Sequence, residues 1–222
     1  MRDMSYRGDI FVIDLLCVFS FISILPGKEM IALIHPFLSD RQHFLKLSYI
    51  YTVESLTAYY NSPIGIISIK SYGDSIAELL FVNSWKGNIV NEDEVDYGVP
   101  QSSIIKKCIK QLDQYFAGKR RTFDLRLTFS GSAFQRQVWN ELMNIPFGKH
   151  ISYMELSKRI ENIKAIRAVG TANGSNKICI VIPCHRVIGS NGELVGYGGD
   201  LWRKKWLLDH EAKIAHGVQE LF

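Results

Sequence analysis

The sequence of 222 residues lacks the patterns that mark most cofactor and metal sites. It contains no glycine-rich phosphate loop and no set of metal-ligand residues, so we expect no cofactor and no metal. None of its four cysteines forms a C-x-x-C pair, and no histidine lies at zinc-finger spacing from two of them. Four cysteines in so long a chain need no disulfides, which favours a reduced, cytoplasmic protein.

Long hydrophobic runs are also scarce. The one conspicuous run, residues 10–25, is shorter than the roughly 20 residues that span a bilayer, and Asp14 lies inside it. No A-x-A-like cleavage site follows it. Three interpretations stay open for this part of the 1–48 extension: an additional strand or helix, a degenerate targeting segment, or sequence upstream of a true start at Met30. We expect no membrane partner.

Charge is unevenly distributed along the chain. The formal net charge is +4, with 26 Lys and Arg against 22 Asp and Glu. From residue 131 onward there are 12 basic and 8 acidic residues, whereas residues 1–130 hold 14 of each. The excess of positive charge therefore lies entirely in the last part of the chain, as expected if that part binds a polyanion.

Residues 49–129 have the pattern of a small α/β domain. Segments rich in β-branched and aromatic residues, separated by turn residues, predict three antiparallel strands over 51–60, 64–70 and 76–82. Apolar residues at helical spacing predict a helix over 101–116. We expect a further short strand over 123–129, and a domain boundary at 130–132.

Residues 131–214 predict a mainly helical domain. An amphipathic helix extends from Phe134 to Ile145, and Ser152 is a candidate cap for the next helix. A further helix over 163–172 follows a short polar turn, so the pair is a candidate helix-turn-helix. The basic run 203–205 is expected to form a solvated helix face.

The residues with catalytic potential follow an apolar run, 178–182, which predicts a buried strand or extended segment. Cys184 comes next, and His185 and Arg186 follow it directly. Nearby positive charge favours a thiolate, and His185 can serve as its base if a carboxylate holds the other ring nitrogen. The remaining cysteines, including Cys179, are expected to be small core residues.

The stretch Phe134–Glu211 resembles the catalytic domain of the 6-O-alkylguanine-DNA alkyltransferases, also called methylated-DNA–protein-cysteine methyltransferases. The motifs that carry the resemblance occur in the family's order: Ser152-Tyr153, Arg167 to Gly170, Asn176, Ile182 to Val187, Gly196 to Gly199, and Trp206 to Glu211. Residues 51–130 resemble the family's smaller amino-terminal domain loosely. The resemblance implies an α+β fold: a ribonuclease H-like sheet with a helix, then a winged helix-turn-helix-like catalytic domain.

The resemblance implies a role for each matching residue. Cys184 would attack the alkyl carbon, and His185, oriented by Glu211, would take the thiol proton through a water molecule. Tyr153 would donate to the departing guanine, and Asn176 would brace the cysteine loop against the helix-turn-helix.

The resemblance also implies that the helix-turn-helix enters the minor groove. Arg167 would fill the gap left by a guanine that is flipped out of the duplex. The other expected DNA contacts are Ser152, Ala168, Gly170 and Ala172, and the expected pocket residues are Pro183, Tyr197 and Gly198.

The implied function is DNA repair by a monomer that acts once, because the thioether product has no easy leaving path. The substrate would be 6-O-alkylguanine, and also 4-O-alkylthymine, in double-stranded DNA. The zinc of some family members needs amino-terminal ligands that are not evident here. The competing functions are a non-catalytic lesion binder, which has Trp in place of Cys184, a helix-turn-helix regulator, and a cysteine hydrolase with a Cys–His–Glu triad.

Overall fold

The computed structural model describes residues 55–217 in full and, before them, the backbone of four strands: β1 (Tyr6–Arg7), β2 (Ile10–Ile13), β3 (Met30–Pro36) and β4 (Leu45–Thr52). These four strands form an antiparallel sheet in the order β1-β2-β4-β3. The chain divides into two compact units, Met1–Ser55 and Leu56–Phe222. Strand β2 includes the start of the apolar run, but residues 14–25 lie outside the described residues. No helix in the described part of the chain is long and apolar enough to cross a membrane.

A three-stranded sheet with one helix begins the second unit, as the sequence predicts. The sheet has the order β5 (Ser55–Ser62), β6 (Gly65–Tyr72) and β7 (Ser75–Phe81), and β6 and β7 pair antiparallel. Helix α1 (Ser103–Phe116) packs on β6 and β7 and is capped by Ser102, whose hydroxyl accepts from Ile105 N. The strands predicted over 51–60, 64–70 and 76–82 and the helix predicted over 101–116 are confirmed with shifted boundaries, and residues 51 and 52 belong to β4.

The strand predicted over 123–129 is not formed. Only Leu127 makes a bridge, to Ile76 of β7, through two backbone hydrogen bonds that flank it. The alternating apolar side chains of this segment do pack against the core, which explains why the pattern resembles a strand. The backbone follows the sheet for one residue only, so no ladder forms.

The rest of the chain is mainly helical. Its elements are α2 (Ala133–Met143), β8 (Ile151–Ser152), α3 (Tyr153–Arg159), α4 (Ile166–Gly174), β9 (Val187–Ile188) and α5 (Leu201–His216). Ser132 and Gln135 form a capping box at the start of α2. Helices α3 and α4 form the predicted helix-turn-helix, although a 3-10 turn, Ile163–Ala165, precedes α4 where the sequence predicts helix. A cluster of buried residues joins the β5–β7 sheet, α1 and the helical half in one continuous core.

Helix α5 corrects the expectation of a solvated face at 203–205. Arg203 and Lys204 are both buried, and only Lys205 is partly exposed. The Arg203 guanidinium lies over the Phe81 ring and donates from Nε to Ile64 O at 2.7 Å. The ammonium of Lys204 donates to Val195 O, in the loop before α5, at 2.7 Å. Both charges reach polar partners across apolar surface, which a sequence pattern does not reveal.

Candidate active site

Asn176 shapes the loop that presents Cys184. Its Nδ2 donates to Ile182 O at 2.9 Å and lies 3.1 Å from Cys184 Sγ, while its Oδ1 accepts from Ile178 N at 2.9 Å. The run 178–182 is therefore not the strand that its apolar residues predict. Ile178 makes a single bridge to the sheet, and the backbone then turns at Ile180, whose φ is +69°. The turn is needed because one amide must reach both ends of the loop.

The cysteine itself starts a short 3-10 helix, Cys184–Arg186, and is 4% exposed. Its carbonyl accepts from Asn173 Nδ2 on α4 at 3.3 Å. The residues that follow form β9, which pairs in parallel with β8 just before α3. The cysteine loop is thus tied to α4 through Asn173 and to the start of α3 through the β8–β9 pair, whereas the side-chain hydrogen bonds of Asn176 stay within the loop.

His185 and Glu211 form the buried pair that the resemblance implies. His185 Nε2 lies 3.0 Å from Glu211 Oε1, and the two side chains are 0% and 1% exposed. Burial lowers the pKa of His185, although the carboxylate opposes this effect. The neutral ring donates from Nε2 to the carboxylate, which leaves Nδ1 as an acceptor. Nδ1 is buried and has no hydrogen-bond partner among the described residues, so it is free to take a proton.

Glu211 accepts hydrogen bonds from several residues besides His185. Arg186 donates to both of its oxygens, from Nε and Nη2, each at 2.9 Å. Tyr115 OH on α1 donates at 2.9 Å, and Gly148 N donates at 3.0 Å. Although burial opposes ionisation, His185 and Arg186 hold the pKa of Glu211 well below its usual range. The sequence predicts that the charge of Arg186 acts on Cys184, but in the structure this charge pairs with Glu211. It does not single out Tyr115, because nothing in the helical pattern of α1 identifies a partner for that hydroxyl.

The surroundings of Cys184 favour its thiolate. The pKa of Cys184 is lowered chiefly by a hydrogen bond from the Cys179 thiol, against the opposing effect of burial, and further by Asn176 and by the Lys204 charge. Burial lowers the pKa of Lys204 to about 8. The sequence interpretation missed Cys179 and Lys204, since an apolar run and a charged helix are ordinary structural features.

Tyr153, at the start of α3, lies beside the cysteine. Burial, and then the nearby Cys184 charge, raise its pKa to about 12, so its hydroxyl stays protonated. The hydroxyl lies 3.2 Å from Val195 O, which also accepts from Lys204 Nζ at 2.7 Å. To donate a hydrogen bond to a substrate, the Tyr153 hydroxyl would first have to release its hydrogen bond to Val195 O.

The expected pocket residues surround the same place. Pro183 and Tyr197 are buried, and the Tyr197 hydroxyl, like His185 Nδ1, has no hydrogen-bond partner among the described residues. Gly198 has a packing reason to be glycine: a Cβ there would meet Lys86 Cδ at 3.0 Å. Pro183 directly precedes Cys184, and burial together with the nearby cysteines raises the pKa of Tyr197 well above its usual value, so both residues lie close to the sulfur.

The helix-turn-helix presents some of the expected DNA contacts to solvent. Arg167 and Ala168 are exposed, and Gly170 is half-buried near the Tyr153 ring. Ser152 caps α3, its hydroxyl accepting from Glu155 N at 3.0 Å. Ala172 is a correction: its side chain is buried, and its carbonyl accepts from Trp139 Nε1 at 2.8 Å. The helical period turns this residue towards α2, so it packs in the core and does not face a groove.

No cluster of three His, Cys, Asp or Glu side chains that could hold a metal ion occurs within the described residues. What the arrangement offers chemically is a buried thiol with a lowered pKa, a neutral imidazole with one open nitrogen, and a tyrosine hydroxyl at one edge.

Two family models match the chain. One is described as 6-O-methylguanine DNA methyltransferase, DNA binding domain, over residues 133–213, and the other as its ribonuclease-like domain, over residues 56–129. The methylated-DNA–protein-cysteine methyltransferase of Methanosarcina acetivorans is 44% identical over 155 residues, which are 69% of this chain and 96% of that protein. The protein of the same name from Mycobacterium tuberculosis is 38% identical over 162 residues, 73% of this chain and 95% of its own.

Solved structures are similar over the same region. The crystal structure of Mycobacterium tuberculosis O6-methylguanine methyltransferase has a TM-score of 0.64 at 36% identity, covering 73% of this chain and 95% of that one. A second crystal structure from that organism, in complex with DNA, has a TM-score of 0.63 at 37% identity and covers 72% and 94%.

Proposed function

This chain belongs to the 6-O-methylguanine DNA methyltransferase family, and from that premise we propose that Cys184 accepts one alkyl group from 6-O-alkylguanine in duplex DNA. The protein is a DNA repair enzyme of the alkyl-transferring kind, with a mixed α and β two-domain fold, and DNA is its partner.

One observation carries the assignment of residues. The buried Glu211–His185 pair leaves His185 Nδ1 open, on the residue that directly follows a buried cysteine whose pKa is lowered. In the proposed step, the thiol proton passes to Nδ1 through a water molecule, and the sulfur attacks the alkyl carbon. The carbon–oxygen bond breaks, and its electron pair leaves with the guanine. Tyr153 donates its hydroxyl proton to the departing base. The proton that His185 took from the thiol then replaces the one that the tyrosine has lost.

The product is a thioether, so the reaction ends after one turnover. With a molar excess of methylated duplex, we expect the amount of repaired lesion to equal the amount of active protein and then to stay constant. A steady rate continuing past one equivalent would contradict the proposal. Tight lesion binding without repair would favour the non-catalytic lesion binder, which is disfavoured because position 184 is cysteine.

We propose that α4 carries the DNA-reading surface and that Arg167 occupies the space of the flipped base. Support comes from the exposure of Arg167 and Ala168 on α4 and from the basic charge of this part of the chain. Flipping is needed because a thiolate cannot reach the alkyl group inside the duplex.

Arg167→Ala should slow repair in duplex DNA by about tenfold to a hundredfold, because flipping costs a few kcal/mol only in the duplex. Reaction with free 6-O-benzylguanine should be unchanged. The two rates are measured under the same conditions, with Lys164→Ala, a neighbouring exposed cation, as the matched control. Equal losses on both substrates would mean that Arg167 supports the fold or the pocket instead.

We propose further that residues 49–129 and 131–214 are the two functional domains and that the protein works as a monomer. We also propose that the protein acts in the cytoplasm, because a reducing compartment keeps the Cys184 thiol unoxidised. Repair of 4-O-alkylthymine is proposed as a second activity of the same site, and a competition assay between the two lesions tests it.

A further inference from the structure

The loop that follows β7, residues 83–90, is held in shape by its own hydrogen bonds. Asn83 Nδ2 donates to Val90 O at 3.0 Å, and Val90 N donates back to Asn83 Oδ1 at 2.9 Å. Inside this closure, Gly87 N donates to Ser84 O at 3.1 Å. The side chains in the middle of the loop are therefore presented from a fixed backbone.

Lys86, in the middle of this loop, contacts two parts of the proposed site at once. Its backbone N donates to Gly198 O at 3.0 Å, and its stem lies against Gly198, where a Cβ would meet Lys86 Cδ at 3.0 Å. The ammonium of the same side chain donates to the carbonyl of Gly174, the last residue of α4. One side chain thus spans from the segment 196–199, here called the pocket loop, to the end of the helix that carries Arg167.

The end of α4 favours a lysine donor for an electrostatic reason. The carbonyls of the last helical turn have no partner within the helix, and the helix dipole makes this end negative. The Lys86 ammonium satisfies the Gly174 carbonyl and is attracted by the dipole. The backbone of the loop has a separate attachment, because Trp85 N donates to Asp200 Oδ1 at 3.2 Å. A change at the Lys86 side chain therefore leaves the loop attached beside the pocket loop.

We infer that Lys86 is a positioning residue for substrate binding: by spanning from the pocket loop to α4, its side chain holds the pocket loop in the position that receives the alkylated base. The inference rests on the proposed function, in which a base flipped out of the duplex at α4 enters the pocket beside Tyr197 and Gly198. Lys86 has no part in the transfer step itself, which uses Cys184 and His185.

The test measures the rate of benzyl uptake by the full-length chain against the concentration of free 6-O-benzylguanine, which separates binding from transfer. Lys86→Met retains the stem and loses the donor. We expect its half-saturating concentration to rise about threefold to tenfold, because a hydrogen bond that orders the pocket loop is lost. The limiting rate at saturation should stay unchanged, because the residues of the transfer step are intact. Lys86→Arg, which retains a cationic donor, should stay near the wild type.

Lys177→Met is the matched control. Its ammonium also joins two segments at the surface, since it pairs with Glu78 Oε1 on β7 at 3.0 Å, but this pair lies outside the pocket loop and α4. Both kinetic constants of Lys177→Met should match the wild type. A wild-type half-saturating concentration in Lys86→Met, with folding checked by thermal melting, would overturn the inference, and so would a fall in the limiting rate alone.

Duplex binding at several salt concentrations distinguishes this role from a contact between Lys86 and a DNA phosphate. A phosphate contact would leave both free-base constants of Lys86→Met unchanged and would reduce the slope of log affinity against log salt by about 0.9. That result would overturn the inference. Failure of the wild-type chain to take up benzyl would instead overturn the proposed function.

Discussion

Replacement of Glu211 by Gln is expected to cost about 3–5 kcal/mol of the free energy of unfolding, because it leaves the buried Arg186 charge without its counter-ion. The carboxylate accepts five hydrogen bonds: from His185, twice from Arg186, from Tyr115 and from Gly148. A glutamine has one acceptor oxygen, so its NH2 group must face at least two of these donors in either orientation. Thermal or denaturant unfolding measures the loss.

The same loss should depend on pH in a defined direction. The pKa of Glu211 lies well below its usual range in the folded protein, so its stabilising contribution is present above the unfolded pKa of about 4.3. It is lost as pH falls through the lower, folded value. The difference in stability between wild type and Glu211→Gln should therefore be largest near neutral pH and should shrink in acid.

Glu211→Gln should also slow alkyl transfer in the molecules that remain folded, by about a hundredfold or more, because His185 loses the charge that stabilises its protonated form. Tyr115→Phe is the matched control: it removes one hydrogen bond to the same carboxylate and keeps the charge. Its stability should fall by about 1 kcal/mol, with no change in the pH profile of the rate. A wild-type rate in folded Glu211→Gln would leave Glu211 as a structural residue only.

Cys184→Ala is expected to abolish alkyl transfer, lowering it by more than about a thousandfold, while binding of alkylated duplex persists. The sulfur is the only nucleophile the proposed step uses, and its loss leaves Asn176 with two carbonyl acceptors in the loop. The fold should therefore lose little stability. Binding is measured by fluorescence anisotropy and transfer by loss of the lesion, with Cys108→Ala as the control for removal of a buried thiol.

Alkyl transfer by Cys184→Ala at the wild-type rate would mean that another residue accepts the alkyl group. Loss of lesion binding together with transfer, in a folded variant, would make Cys184 a part of the binding surface and leave its nucleophilic role without support.

The sequence predicts the parts of this site that occur as short motifs. It also predicts the helices whose apolar residues recur at helical spacing. The helical stripe of α1, the cap at Ser152 and the two helices α3 and α4 are of this kind, because each depends on local spacing. The pairing of His185 with Glu211 followed from a family pattern, since 26 residues separate the two in the chain.

The parts that could not be predicted depend on tertiary contacts. The run 178–182 is apolar, as a buried strand would be, but the amide of Asn176 bends it into a loop. Lys204 is charged, as a solvated helix residue would be, yet it is fully buried. Nothing local distinguishes Cys179 from a core residue, because its effect on the pKa of Cys184 depends on the tertiary structure.

The central claim is that the alkyl group comes to rest on Cys184, and the location of the label tests it most directly. After reaction with one equivalent of 6-O-methylguanine duplex, trypsin should release the peptide from Ile178 to Arg186, which contains both Cys179 and Cys184. Fragmentation between the two cysteines tells them apart by mass spectrometry. We expect one methyl group per protein molecule, carried by the fragments that contain Cys184. A methyl group on Cys179, or repaired DNA with an unmodified peptide, would contradict the claim.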